Sequence, residues 1–135
     1  MAGPIIFVAT NRLKQGALEL ERARVPGLVD FVEREEPQVL GFNEYLNEAG
    51  DEVTVVQIHP DATSLEKHLG VISDHARRAY EETLDRTVRI QVFGELPDSV
   101  ATRLREQASD GVEVVINAER LGGFLRRGGA PGPAG

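Results

Sequence analysis

Hydrophobic and polar positions along the chain alternate between two periods, and the switches lay out the elements. Residues 4–13 (PIIFVATNRL) are apolar in both registers, with Ile5, Phe7 and Ala9 on one side and Ile6 and Val8 on the other. A strand of this kind is expected to be covered on both faces. Residues 17–36 have helical spacing through Leu20, Leu28, Val29 and Val32, with Pro26 inside the pattern. Proline lacks the amide donor and crowds the preceding turn, so a kink or two helical pieces are predicted there. Residues 38–47 and 52–59 read as strands, and Glu48-Ala49-Gly50-Asp51 between them predicts an antiparallel hairpin.

Beyond His59-Pro60, Thr63 and Glu66 have the spacing of a capping box that opens a helix. Gly70 is expected to interrupt it, with Ser73-Asp74 capping a second stretch through Ala76, Ala79, Tyr80 and Leu84. Residues 87–93 form a fourth strand with Val88, Ile90 and Val92 inward. A helix from Pro97 to about Ala108, a fifth strand over 112–116 and a brief turn over 119–125 follow. Residues 126–135 are rich in Gly and Pro and are expected to be disordered.

The order β-α-β-β-α-β and then α-β predicts one α+β, ferredoxin-like domain over 1–125. Its core is 4–94 and its C-terminal αβ extension 95–125. Both core helices of that arrangement pack on one face of the sheet. Apolar residues on the opposite face then need a cover, and a second copy of the chain is the expected one. The rival is that residues 97–125 fold back over that face.

Composition narrows the function classes. The 135 residues are 41% hydrophobic and 27% charged, which suits a single globular core. The absence of Cys excludes a disulfide scaffold, a thiolate metal site and a Cys nucleophile, and a cytoplasmic location is the expectation. No membrane association is expected, since the first apolar run ends at Asn11-Arg12, well short of the roughly 20 residues a span needs. A net charge of −7 with no basic cluster argues against nucleic acid as a partner. Neither a phosphate-cradling loop nor a Gly-x-Ser-x-Gly elbow is present, so no cofactor and no serine triad are expected.

The remaining candidates are few. His59 ends the third strand on the side of Val53, Val55 and Gln57, where a neutral imidazole at a cavity mouth serves as a general base. Asn11 and Asn43 are amides on strands, where Asn is depleted, and they are candidates to polarise an oxyanion. Tyr45 and Tyr80 offer hydroxyls, and His68 and His75 are further ligand-binding candidates. The three His lack the tight spacing of a metal site, so none is expected. Glu33, Glu35, Glu36, Glu81 and Glu82 fall in helical runs that read as solvated faces.

The element order, the hairpin LGFNEYLNEAGDEVTVVQIHPD and the following SLEKHL resemble the antibiotic biosynthesis monooxygenase-like family over about residues 5–93. That resemblance implies ferredoxin-like protomers paired sheet to sheet as a dimeric α/β barrel, with a cavity between each sheet and its helices. It implies a small hydrophobic or aromatic ligand and, in some members, oxidation of polycyclic aromatic substrates without metal or flavin; others degrade haem. VATNRL resembles the first strand of the haem-degrading members, whose Asn corresponds to Asn11. Their third-strand Trp falls at His59, and their haem-ligating His falls near His75 or Tyr80; this chain has no Trp. The expected function is cofactor-independent oxidation of a phenolic substrate with His59 as base, the alternative being a non-catalytic small-molecule-binding or stress-associated dimer.

Overall fold

The computed structural model describes residues 3–108 and 110–126. Five strands and four helices follow in the order β1 (Ile5–Leu13), α1 (Leu18–Glu35), β2 (Gly41–Leu46), β3 (Glu52–His59), α2 (Ala62–Val71), α3 (Ser73–Glu82), β4 (Leu84–Phe93), α4 (Asp98–Gln107) and β5 (Glu113–Asn117). The strands form one sheet ordered β2-β3-β1-β4-β5. All neighbours are antiparallel except β4 and β5, which run parallel. The first four strands have the ferredoxin-like order, and β5 extends the sheet at the β4 edge. The expected fold is the one observed. Among the described residues, no helix is long and apolar enough to cross a membrane.

Register fixes which side chains share a face, because directly paired residues point the same way. One row runs Phe42, Gln57, Phe7, Val92; the next runs Glu44, Val55, Ala9, Ile90; a third runs Leu46, Val53, Asn11, Thr87. All four helices pack on this face. Ala62 and Leu65 of α2 and Val100 and Leu104 of α4 close over Ile5, Phe7 and Val92. Ala79 of α3 closes over Leu13, Val53 and Leu84. Leu65 and Val92 are fully excluded from solvent, and burial of such a side chain contributes about 1.5–3 kcal/mol.

The opposite face has no helix. Ile6, Val8, Val56 and Ile58 there are only partly buried, and Tyr45 is 60% exposed. The C-terminal extension does not fold over it, since α4 inserts its apolar side beside α2 instead. Residues 119–125 form no regular element, and Leu121 and Phe124 stand largely in solvent. The Gly- and Pro-rich residues 127–135 lie outside the described residues.

Several local expectations are corrected. Helix α1 passes through Pro26 as one element. Pro26 and Arg22 are both exposed, so the carbonyl that loses its partner is hydrated while Leu28 and Val32 anchor the helix. The buried stripe of α1 is Glu21, Leu28 and Val32, which rotates Leu20 outward to 50% exposure. Asp61, not Thr63, caps α2, its Oδ1 accepting from the Ser64 amide at 2.9 Å. Gly70 stays helical and the break falls at Ile72, where no side chain caps α3. Strand β4 begins at Leu84, and Val88 sits at a register shift where Asn11 pairs with Thr87 and Thr10 with Arg89.

Candidate functional site

A cavity of about 730 Å³ lies between the helical face of the sheet and the helices. Its buried lining includes Phe7, Leu28, Gln57 and Leu104, with Phe42 and Ile90 beside them. Exposed lining residues such as Ser73, Arg77, Tyr80, Asp85 and Gln107 mark its mouth. The mouth falls beside residues 84–88 of β4, which β5 leaves uncovered because it pairs only with Arg89–Phe93.

The sequence candidates separate into two groups. Asn11, His68, His75 and Tyr80 line the cavity. His59, Asn43 and Tyr45 do not. His59 faces inward as expected, but it sits one row beyond Gln57, opposite Ile5, beneath the first turns of α2. It is completely buried, with Nδ1 2.7 Å from Ser64 Oγ and Nε2 2.9 Å from Gln57 Oε1. With an amide oxygen facing it, Nε2 donates and Nδ1 accepts from the Ser64 hydroxyl. Burial, helped by the neighbouring His68, pushes its pKa down to about 4. Both nitrogens are occupied and His59 is not part of the cavity lining, so it is a structural imidazole and not a base at a cavity mouth. Asn43 pairs with Val56, and Tyr45 with Thr54, on the helix-free face; both are exposed. A three-residue site of His59, Asn11 and Asn43 therefore does not form.

Behind the cavity stand two groupings that sequence reasoning missed. In the first, His68 Nδ1 lies 2.7 Å from Glu36 Oε2, and both side chains are almost wholly buried. Glu36 follows the last turn of α1, where its amide closes on Val32. The Gln38 amide adds a long contact to its other oxygen at 3.4 Å. With Nδ1 held by the carboxylate, His68 lines the cavity and Nε2 has no hydrogen-bond partner among the described residues. The rings of Phe42 and His59 flank it at 5.7 and 5.6 Å between centroids.

The second grouping joins Glu21 of α1 to Glu44 of β2. Glu21 is buried and accepts from Arg24 at 2.6 and 2.9 Å and from Thr83 Oγ1 at 2.7 Å. Burial alone would raise its pKa, but hydrogen bonds from Glu44, Arg24 and Thr83 outweigh burial and lower it. Glu44, which lines the cavity, is pushed up to about 9 by burial and by the facing Glu21 carboxylate. At neutral pH the pair thus holds one proton, on Glu44, and presents a neutral carboxylic acid. Neither carboxyl was singled out by sequence. The one signal available was Glu44, a carboxylate in register with Phe42 and Leu46.

Asn11 carries a third network. Its Oδ1 lies 2.9 Å from Tyr80 Oη and 2.8 Å from Thr87 Oγ1, and the two hydroxyls lie against each other, so one hydroxyl donates to the other and the second donates to Asn11 Oδ1. That leaves the Asn11 amide hydrogens as the donors of this group. His75 stacks on Phe31 at 4.3 Å, and burial followed by the Arg78 and Arg24 charges lowers its pKa. Its Nδ1 is 3.4 Å from the Arg78 guanidinium, a poor setting for an axial haem ligand. Among the described residues, no three His, Asp or Glu cluster as a metal site.

No protein-family model matches the chain, and no curated protein matches it in sequence. Solved structures do share its fold. MupZ from Pseudomonas fluorescens aligns at TM-score 0.73 and 19% identity, covering 92% of this chain and 95% of that one. That coverage reaches beyond β4, so MupZ shares part of the C-terminal extension. Rv0793 from Mycobacterium tuberculosis aligns at 0.57 and 21% identity over 70% of this chain and 96% of that one. A candidate antibiotic biosynthesis monooxygenase from Bacteroides thetaiotaomicron aligns at 0.52 and 17% identity, covering 63% and 83%. At these identities the likeness is one of fold.

Proposed function

We propose that this chain, built on the fold of the antibiotic biosynthesis monooxygenase-like proteins, is an enzyme that oxidises a phenolic or otherwise enolisable organic substrate without a cofactor. The observation that carries the reading is the Glu36–His68 pair, which leaves one imidazole nitrogen on the cavity side. His68 Nε2 takes a proton from the substrate, and Glu36 stabilises the imidazolium that results. Glu44 carries a proton near neutral pH and donates it to Glu21, so it faces the cavity as a neutral group. The Asn11 amide, also in the cavity lining, donates a hydrogen bond to the oxygen on which negative charge develops.

With an anthrone-type methylene as substrate, the carbanion attacks O₂ to form a peroxide. The second C–H proton passes to the terminal peroxide oxygen as the O–O bond breaks, which leaves a carbonyl and hydroxide. One oxygen atom enters the product and the other leaves as water, so CH₂ plus O₂ balances C=O plus H₂O. His68 returns the abstracted proton to the departing hydroxide. The role first expected of His59 passes to His68, one layer nearer the ligand.

We also propose that the helix-free sheet face packs against a second copy of the chain. Half-buried Ile6, Val8, Val56 and Ile58 support this, as do the exposed Leu121 and Phe124 beyond β5. The catalytic reading is tested by oxygen uptake with anthrone, comparing wild type, His68→Gln and His59→Gln. The expected result is a fall of about 10²–10⁴-fold for His68→Gln with substrate affinity retained. A smaller effect is expected for His59→Gln. Equal rates for wild type and His68→Gln would overturn the assignment, and binding without oxygen uptake in wild type would replace the enzyme with a binding protein.

A further inference from the structure

The proposed mechanism leaves one buried polar side chain of the cavity wall unused. Gln57 of β3 is 5% exposed and lines the cavity, in register between Phe42 of β2 and Phe7 of β1 on the helical face of the sheet. Its Oε1 lies 2.9 Å from His59 Nε2. Its Nε2 has no hydrogen-bond partner among the described residues, and no buried side-chain nitrogen or oxygen among them lacks one. The amide hydrogens therefore face the open space of the cavity.

Ser64 fixes which end of the amide is presented. Its side chain is buried, and His59 Nδ1, at 2.7 Å, is the acceptor its hydroxyl has among the described residues. The hydroxyl hydrogen goes to Nδ1, because a buried donor without an acceptor is costly. Burial pushes the His59 pKa down to about 4, so the ring is neutral at physiological pH and its one proton sits on Nε2. That N–H needs an acceptor, and of the two ends of Gln57 the carbonyl supplies it. Asp61 holds Ser64 in turn, accepting from its backbone amide at 2.9 Å. Each bond in such a chain polarises the next and makes the terminal N–H a stronger donor.

We propose that Gln57 binds a carbonyl oxygen of the ligand, and that the ligand is a ketone or enone seated with this oxygen beside His68. Phe42 and His59 flank the His68 ring at 5.7 and 5.6 Å between centroids, and Gln57 pairs with the first across the sheet and bonds the second. With Nδ1 donating to Glu36, His68 offers Nε2 as an acceptor. One stretch of wall thus carries a donor and an acceptor side by side. The complementary group is a carbonyl whose neighbouring carbon carries an acidic hydrogen, with the oxygen on Gln57 and the C–H toward His68. Asn11 lies four residues beyond Phe7 on β1, roughly 13 Å along the strand, so the two amides meet different oxygens of one elongated ligand.

This subsite rests on the cavity being the ligand site of the proposed enzyme and is independent of the oxygen chemistry. The test uses the whole chain and two neutral isosteres, 2-acetonaphthone and 2-isopropenylnaphthalene, which differ only in C=O against C=CH₂. Gln57→Met removes the donor at similar volume and should weaken ketone binding about two- to tenfold, with the alkene bound no less tightly than by wild type. Gln57→Glu keeps an acceptor for His59 but turns an acceptor toward the cavity, and should weaken the ketone at least as much. The stretch of the bound ketone, read with an isotope label on its carbonyl, should lie at lower frequency in wild type than in either variant. Lost packing alone would not produce that difference. Equal ketone affinity and equal stretch in wild type and both variants would overturn Gln57 as the contact and leave His68 and the oxidation standing. A ketone that responds to Asn11→Ala and to neither Gln57 variant would do the same. Failure of both probes to bind wild type would overturn the cavity as a ligand site, and the subsite with it.

Discussion

Replacing Glu44 with Gln tests the proton that the Glu21–Glu44 pair is inferred to hold. In the folded chain the Glu44 acid keeps its proton up to about pH 9, while its ordinary value is 4.5. Between those limits the folded state holds a proton that the unfolded state has lost. The stabilisation from this group is therefore complete below the unfolded value, declines as pH rises, and is gone once pH passes the folded value. One proton limits the slope to about 1.4 kcal/mol per pH unit. Glu44 is not fully enclosed, and its partner Glu21 moves the opposite way, so the observable slope falls below that limit. A loss of about 1–2 kcal/mol from pH 6 to pH 8 is the reasonable expectation. Glutamine keeps a donor toward Glu21 and has no proton to release. Urea unfolding of wild type and Glu44→Gln across that range should give stabilities that converge at low pH and separate at high pH, with the variant the more stable. Curves that run parallel from pH 6 to 9 would refute the shared proton.

His59 predicts the opposite pH trend. Its pKa is pushed from 6.5 to about 4, so its contribution is present above 6.5 and is lost as pH falls through 4. Acid unfolding of His59→Gln should show a shallower pH slope in that window than wild type. Leu65→Ala removes a fully buried side chain from the contact of α2 with β1 and should cost about 2–5 kcal/mol in denaturant unfolding. Asp61→Ala removes the cap on the Ser64 amide and should cost about 0.5–2 kcal/mol by the same measurement. Val8→Asp with Ile58→Asp, on the helix-free face, should convert a dimer into a species of 14.7 kDa in sedimentation. A wild-type chain that already sediments at that mass would refute the self-association.

The apolar patterns over residues 4–13, 52–59 and 87–93 were enough to place these strands, although β4 begins earlier, at Leu84. Short-range chemistry, such as the Asn47–Asp51 turn with Gly50 at φ +78°, defined the hairpin. The order of these elements then restricted the sheet to few topologies, which is why the ferredoxin-like arrangement could be read directly. The inward direction of Asn11 and His59 followed from strand period alone. Depth did not follow, and it is depth that separates Asn11 at the cavity from His59 behind it.

The site itself depended on groups far apart in the chain. Glu36 and His68 are 32 residues apart, and Thr83 lies 62 residues from the Glu21 it bonds. In sequence these carboxylates are indistinguishable from the exposed Glu33 and Glu35 beside them. Only the packing of α1 against the sheet turns Glu21 and Glu36 inward and withdraws them from water. Once withdrawn, each must find a donor, because an unpaired buried carboxylate is costly. Side-chain period is a local property of the backbone and can be read one residue at a time. Desolvation depends on everything packed around a group, so the chemistry of this cavity became visible only with the tertiary structure.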